Sequence, residues 1–148
     1  MNKIYIEQLL KRKTLARENL LKILLVLATI YLFYWSVKLP VLLIFLILIL
    51  CVDINVFRKL DIEYEYLYFD GSLEIDKIWS KARRKNIFSV NFSEVEIVAM
   101  AGTPQLRQYQ GLKKKDYSSR ISGRTVYEMI FFQNGKRRRI IFEPNKDL

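Results

Sequence analysis

The sequence predicts an α+β membrane protein, in which an N-terminal transmembrane helical hairpin is followed by a small antiparallel β roll. Three observations predict it. Leu20 to Phe57 is almost continuously apolar and is bent once, at Lys38-Leu39-Pro40. From Asp61 onward the apolar period changes from helical to two. Asp70-Gly71 and Asn134-Gly135 are two-residue hairpin turn signals, each between alternating segments. The mean hydropathy of +0.06 averages an apolar block with a heavily charged remainder.

Met1 to Glu18 places Ile4, Tyr5, Leu9, Leu10 and Ala16 at helical spacings beside Lys11, Arg12, Lys13 and Arg17. That pattern predicts a basic amphipathic juxtamembrane helix over residues 1–19, lying at the headgroup level. Leu20 to Val37 follows with Lys22 as its only charge. Eighteen residues of helix span roughly 27 Å, close to the thickness of a bilayer's hydrocarbon core. Tyr31, Tyr34 and Trp35 sit at its far end, where amphipathic rings favour the interface. Val41 to Phe57 is the second expected span, with Pro40 suited to a first helical turn. Asp53 interrupts it near the depth of Lys22, so an interhelical Lys22–Asp53 pair is expected. Basic residues crowd both outer flanks of the hairpin, Lys3 to Lys22 before it and Arg58 and Lys59 after it, whereas its tip has Lys38 alone. The expected location is therefore the cell membrane, with two spans and both termini cytoplasmic. Cys51, the single cysteine, lies in the second span, which excludes an intrachain disulfide and fits a reducing compartment.

The β domain is expected over residues 61–148. Ile62, Tyr64, Tyr66 and Tyr68 share one face of the first strand, and Asp70-Gly71 turns the chain into a second through Leu73, Ile75 and Lys77. A polar turn at Trp79 to Lys85 leads to a third strand near Asn86 to Asn91, and Val95, Ile97 and Ala99 mark a fourth, completing a four-stranded meander. Gly102 to Leu112 has no sustained period and reads as a crossover loop. A weak fifth strand is expected within Lys114 to Ser119, a strong sixth in TVYEMIFFQ and a seventh in RRRIIF, after which Glu143-Pro144 ends the strand.

Four strands, a loop and three strands resemble the pleckstrin-homology-like roll of bacterial membrane-anchored proteins. More closely, EQLLKRKT before the first span, IEYEYLYFDGSLEIDKI with its ARRK run, EVEIVA and the terminal IIFEPN are similar to an uncharacterised family of small two-span membrane proteins of Gram-positive bacteria. The resemblance implies architecture and no activity. It also implies a roll plugged by a C-terminal helix, for which few residues remain after Pro144, so closure by the 100–113 loop, by a neighbour or by the membrane is left open.

The chain has no histidine, which removes histidine-based acid–base catalysis, and its lone cysteine in a span removes zinc–thiolate sites and an accessible thiol nucleophile. No glycine-rich phosphate loop occurs. Carboxylates at Glu63, Glu65, Glu74, Asp76, Glu94 and Glu96 are explained by cross-strand ion pairs. The chain is accordingly expected to be non-enzymatic, with no cofactor and no metal. What stands out is three basic runs: Lys81, Arg83, Arg84 and Lys85; Lys113, Lys114 and Lys115; and Lys136, Arg137, Arg138 and Arg139. If successive strands simply reverse, all three fall on connections at the membrane side, with Trp79 beside the first. Anionic lipid headgroups are then the expected ligand, each cation contributing about 1 kcal/mol near an anionic leaflet. The alternative reading of each run is a solvated turn that blunts a sheet edge. Nucleic acid is the rival anion, but neither a recognition helix nor a stacking motif supports it. The expected role is a membrane-anchored adaptor that recruits a protein partner; the alternative is an accessory subunit of a larger membrane complex.

Overall fold

A computed structural model describes residues 5–148 of the chain. The first departure from expectation comes at once. Tyr5–Lys11 is a strand, β1, where the sequence predicts an amphipathic helix; Lys3 and Ile4 of that prediction lie outside the described residues. β1 pairs antiparallel along its whole length with β2 (Ile62–Phe69), from Tyr5 opposite Phe69 to Lys11 opposite Glu63. The residue types of YIEQLLK are good helix formers, and seven of them form too short a helix to be stable alone. Cross-strand pairing decides the outcome. The domain boundary moves accordingly: β1 and the chain from Glu63 onward form one compact unit, and Thr14–Ile62 forms a second, inserted between β1 and β2 in the sequence.

The inserted unit is a helical pair. α1 (Ala16–Ser36) begins with the Glu18 carboxylate accepting from the Leu15 amide at 2.8 Å, which satisfies a donor at the free N-terminus of the helix. By length and composition α1 can cross a membrane. α2 (Leu42–Leu60) follows after the turn at Pro40 and includes Asp53, Arg58 and Lys59 within its 19 residues. The expected Lys22–Asp53 pair does not form. Thr29 Oγ1 lies 2.6 Å from Asp53 Oδ2, and the Lys22 ammonium instead sits 5.9 Å from the centre of the Phe57 ring. Asp53 is buried within the pair, and a hydroxyl about two turns deeper than Lys22 reaches it where a long lysine side chain favours the helix exterior.

The β unit consists of two four-stranded sheets. One has the order β1-β2-β3-β4, with β3 at Ser72–Trp79 and β4 at Arg83–Asn91. The other has the order β5-β7-β8-β6, from β5 (Val95–Met100), β6 (Lys114–Asp116), β7 (Tyr127–Gln133) and β8 (Lys136–Phe142). The expected meander is thus split. β1 supplies the fourth strand of the first sheet, and β5 crosses to the second. Both hairpin turns form as the sequence predicts, with positive φ at Asp70 and Gly71 and again at Asn134 and Gly135. The β3–β4 turn, Ser80 to Ala82, takes positive φ at Ser80 and Lys81 with no glycine to ease it.

The core lies between the sheets. Tyr66, Leu73, Ile75 and Val90 on one side and Met129, Phe131, Ile140 and Phe142 on the other are almost fully buried. Phe88 meets Phe131 edge-on at 5.2 Å, and Tyr66 meets Phe142 at 6.3 Å. The Tyr66 hydroxyl donates to the Tyr117 carbonyl at 2.6 Å and accepts from the Glu143 amide at 3.2 Å, so a phenol at the centre of the core keeps both partners.

Among the described residues no helix follows β8. The segment after it is fastened to β1 instead, with the Gln8 side chain donating to the Glu143 carbonyl and accepting from the Asn145 amide. The buried Glu143 carboxylate accepts from the Ser119 amide and hydroxyl and from Arg124. The Pro104–Tyr109 turn covers the opposite face of the second sheet, burying Leu106 and placing the Tyr109 carbonyl 3.3 Å from Arg139 Nη1.

Candidate functional site

A cleft of about 560 Å³ opens where the two sheets end side by side. β4 is the terminal strand of the first sheet and β6 that of the second, with β8 next to β6. One wall is Asn86, Ile87, Phe88 and Ser89 of β4; the other draws on Lys113, Lys115 and residues 136–140. A bulge at Ile87, which shifts the β3–β4 register between Ile75 and Asp76, bends β4 where it borders the cleft. At one end the Gln133 amide reaches across to the Ser89 carbonyl at 3.2 Å. Among the described residues no acidic side chain lines the cleft.

Strand alternation sorts the third basic run into two kinds of residue. Arg138 stands opposite Phe131, so it shares the inner face with the core ring. Burial pushes the Tyr117 phenol up, and the positive charge of Arg138 opposes that push. Lys136 has the same parity. Arg137 and Arg139 have the other. Arg137 Nε lies 3.0 Å from both oxygens of Glu96, and Arg139 Nε lies 2.6 Å from Glu128 with both side chains about nine-tenths buried. These two arginines are neutralised within the fold.

The second run divides in the same way. β6 runs parallel to β8 with Lys114 level with Arg139 and Lys115 level with Ile140, so Lys115 falls on the cleft side. Lys113 lies one step beyond the strand and also lines the cleft. Among the described residues no carboxylate pairs with Lys113, Lys115, Lys136 or Arg138, and all four are exposed. Asp116, the nearest acid in sequence, is engaged by Ser118 and Arg120.

The first run does not join them. Arg83, Arg84 and Lys85 lie within β4 and not in the expected turn, and none of them lines the cleft. Arg84 bonds Glu65 at 2.7 Å and faces Asp76 at 3.9 Å. Lys81 occupies the strained turn, and Trp79 has the Lys77 ammonium 4.9 Å from its ring centre. The parallel pairing of β6 with β8 brings the second and third runs level, as simple reversal of strands predicts, but the first run lies on β4 in the other sheet and does not reach the cleft. Sequence reasoning also missed Asn86, Phe88 and Gln133. Parity within the strands was the available signal for the arginines; nothing in the sequence brings β4 alongside β6.

Residues 2–148 match the family described as Bacterial PH-like domain (DUF6106). The chain belongs to that family. No curated protein and no solved structure matches it. Membership agrees with the two-sheet roll, and a PH-like domain suggests a lipid- or protein-binding module. The match spans β1, the helical pair and the rest of the β unit, so the inserted helices are part of the family's chain.

Proposed function

We propose that this PH-like protein is a non-catalytic, membrane-anchored recognition module whose cleft takes the phosphate of anionic lipid headgroups. The observation that carries the reading is the set of four cations, Lys113, Lys115, Lys136 and Arg138, around a cleft with no carboxylate to neutralise them. Uncompensated positive charge in a concave, partly desolvated site favours an anion, and the Arg138 guanidinium offers the forked geometry that suits phosphate. The apolar faces of α1 and α2 support an anchor of two spans: Leu24, Leu27, Ile30, Ile44, Ile47 and Leu48 are all more than half exposed, a poor arrangement in water and a natural one in lipid. With basic residues at both outer flanks, the termini and the β unit are cytoplasmic in this reading.

The test uses the full chain, because β1 precedes the helices and a fragment beginning at residue 61 lacks a strand of the first sheet. Protein purified in a neutral mild detergent is supplied with phosphatidylglycerol or phosphatidylcholine, and retained lipid is counted by native mass spectrometry. The expected result is retention of phosphatidylglycerol alone, weakened by salt and lost in Arg138→Gln/Lys113→Gln. Equal retention of the two lipids would sink the proposal. Topology is checked separately by labelling single cysteines at Ser72 and Lys38 in a Cys51→Ser background; labelling of position 72 from outside would reverse the orientation.

A further inference from the structure

We infer that the cleft recognises two phosphates held one glycerol apart, as in a diphosphatidyl lipid headgroup, and not a single phosphate. The inference rests on the reading of the cleft as an anion site and adds the ligand's shape. It follows from the register. On the cleft face of β8, Lys136, Arg138 and Ile140 are successive same-side positions, separated by about 6.6 Å each in a strand. The parallel pairing puts Lys115 level with Ile140, and one two-residue step back puts Lys113 level with Arg138. Adjacent strands are about 4.8 Å apart. The four cations therefore form three rungs along the cleft: Lys136, then Arg138 with Lys113, then Lys115.

One phosphate fills one rung. The middle rung, a guanidinium beside an ammonium, is the stronger seat, and a lone phosphate there leaves both outer lysines unused. A second phosphate joined through a three-carbon bridge reaches the next rung, whereas the two phosphates of a pyrophosphate share an oxygen and stay on one. The β4 wall suits the bridge, with the Ser89 hydroxyl as a hydrogen-bonding group and Ile87 and Phe88 as apolar surface, while the Asn86 amide is held by Asp76 and the Gln133 amide of β7 by the Ser89 carbonyl. The bulge in β4 and the Gln133 contact to the Ser89 carbonyl block strand addition at this edge, which disfavours an extended peptide.

The experiment offers the full chain diphosphatidylglycerol and phosphatidylglycerol at equal total phosphate in mild detergent and counts retained lipid. Engaging one further cation predicts about fivefold preference for the diphosphatidyl lipid. Lys115→Gln/Lys136→Gln, which keeps the middle rung, is expected to abolish the preference and to weaken phosphatidylglycerol retention less than Arg138→Gln/Lys113→Gln does; unchanged hydrogen exchange in β7 and β8 confirms that the variant is folded. Soluble glycerol 1,3-bisphosphate is expected to displace the bound lipid better than twice its concentration of glycerol 1-phosphate. Retention of both lipids without preference, or equal displacement by the two soluble phosphates, overturns the two-phosphate inference and leaves the anion reading standing. Absence of any anionic lipid retention overturns the lipid reading, and binding of the soluble bisphosphate in that case keeps the two-phosphate site with a ligand from solution.

Discussion

Replacing Arg137, Arg138 and Arg139 by glutamine, one at a time, separates three roles that the sequence presents as one run. Arg139 and Glu128 are a buried pair at 2.6 Å, with side-chain exposures of 10% and 6%. Removing the arginine strands a carboxylate away from water, which costs about 3–5 kcal/mol. Arg137 is 56% exposed beside Glu96, so solvent screens the pair and its loss is expected to leave the melting temperature close to wild type. Arg138 has no carboxylate partner among the described residues, so its replacement leaves stability near wild type and removes anion binding. The assay is thermal unfolding of the full chain in mild detergent, with hydrogen exchange of the Met129–Phe131 and Ile140–Phe142 amides as the local readout. For a domain of this size each kcal/mol shifts the melting temperature by roughly 4–8 °C, so Arg139→Gln is expected to lower it by more than about 10 °C. Pairing Arg139→Met with Glu128→Leu recovers most of that loss, because no charge is then left buried. A cost for Arg139→Gln within about 1 kcal/mol of that for Arg137→Gln would refute the reasoning. The simultaneous replacement of all three arginines is uninformative about lipid binding, since it unfolds the sheet that holds the cleft.

Further outcomes follow from other contacts. Tyr66→Phe leaves the Glu143 amide and the Tyr117 carbonyl without a partner in the core and is expected to cost about 1–3 kcal/mol, measured by the same unfolding. Burial, a hydrogen bond from Glu7 and the neighbouring Glu7 charge raise the Glu65 carboxyl above its ordinary value, against the opposing pull of Arg84. The folded state thus binds a proton that the unfolded state has released, so stability rises as pH falls from the raised value toward the ordinary one of 4.5 and is flat below it; Glu65→Gln is expected to remove that slope in a pH series of melting temperatures. Ser80→Asn/Lys81→Gly relieves two positive-φ positions in the β3–β4 turn and is expected to raise stability by about 1 kcal/mol. Thr29→Val removes the hydroxyl facing Asp53 and is expected to loosen the α1–α2 pair by about 0.6–1.7 kcal/mol, read as broadened spin-label distances between the helices.

The sequence by itself determined the elements whose cause is local. The helical pair follows from two long apolar runs around Pro40, and the β2–β3 and β7–β8 hairpins follow from Asp-Gly and Asn-Gly between alternating segments. The Asn134-Gly135 turn even sets Arg138 opposite Phe131, so the division of the third basic run was legible in principle. Tertiary structure decided what depends on distant partners. Tyr5–Lys11 is a strand because β2, across some fifty intervening residues, supplies its hydrogen bonds, and no local pattern records that. Lys113 and Lys115 face the cleft because β6 pairs parallel with β8, a register that the crossover from β5 conceals. The Glu96 and Glu128 partners of Arg137 and Arg139 depend on cross-strand neighbours, and the cleft itself depends on β4 and β6 ending at the same edge. Charge is written in the sequence, but whether a charge is free to bind depends on which carboxylate the fold brings within reach.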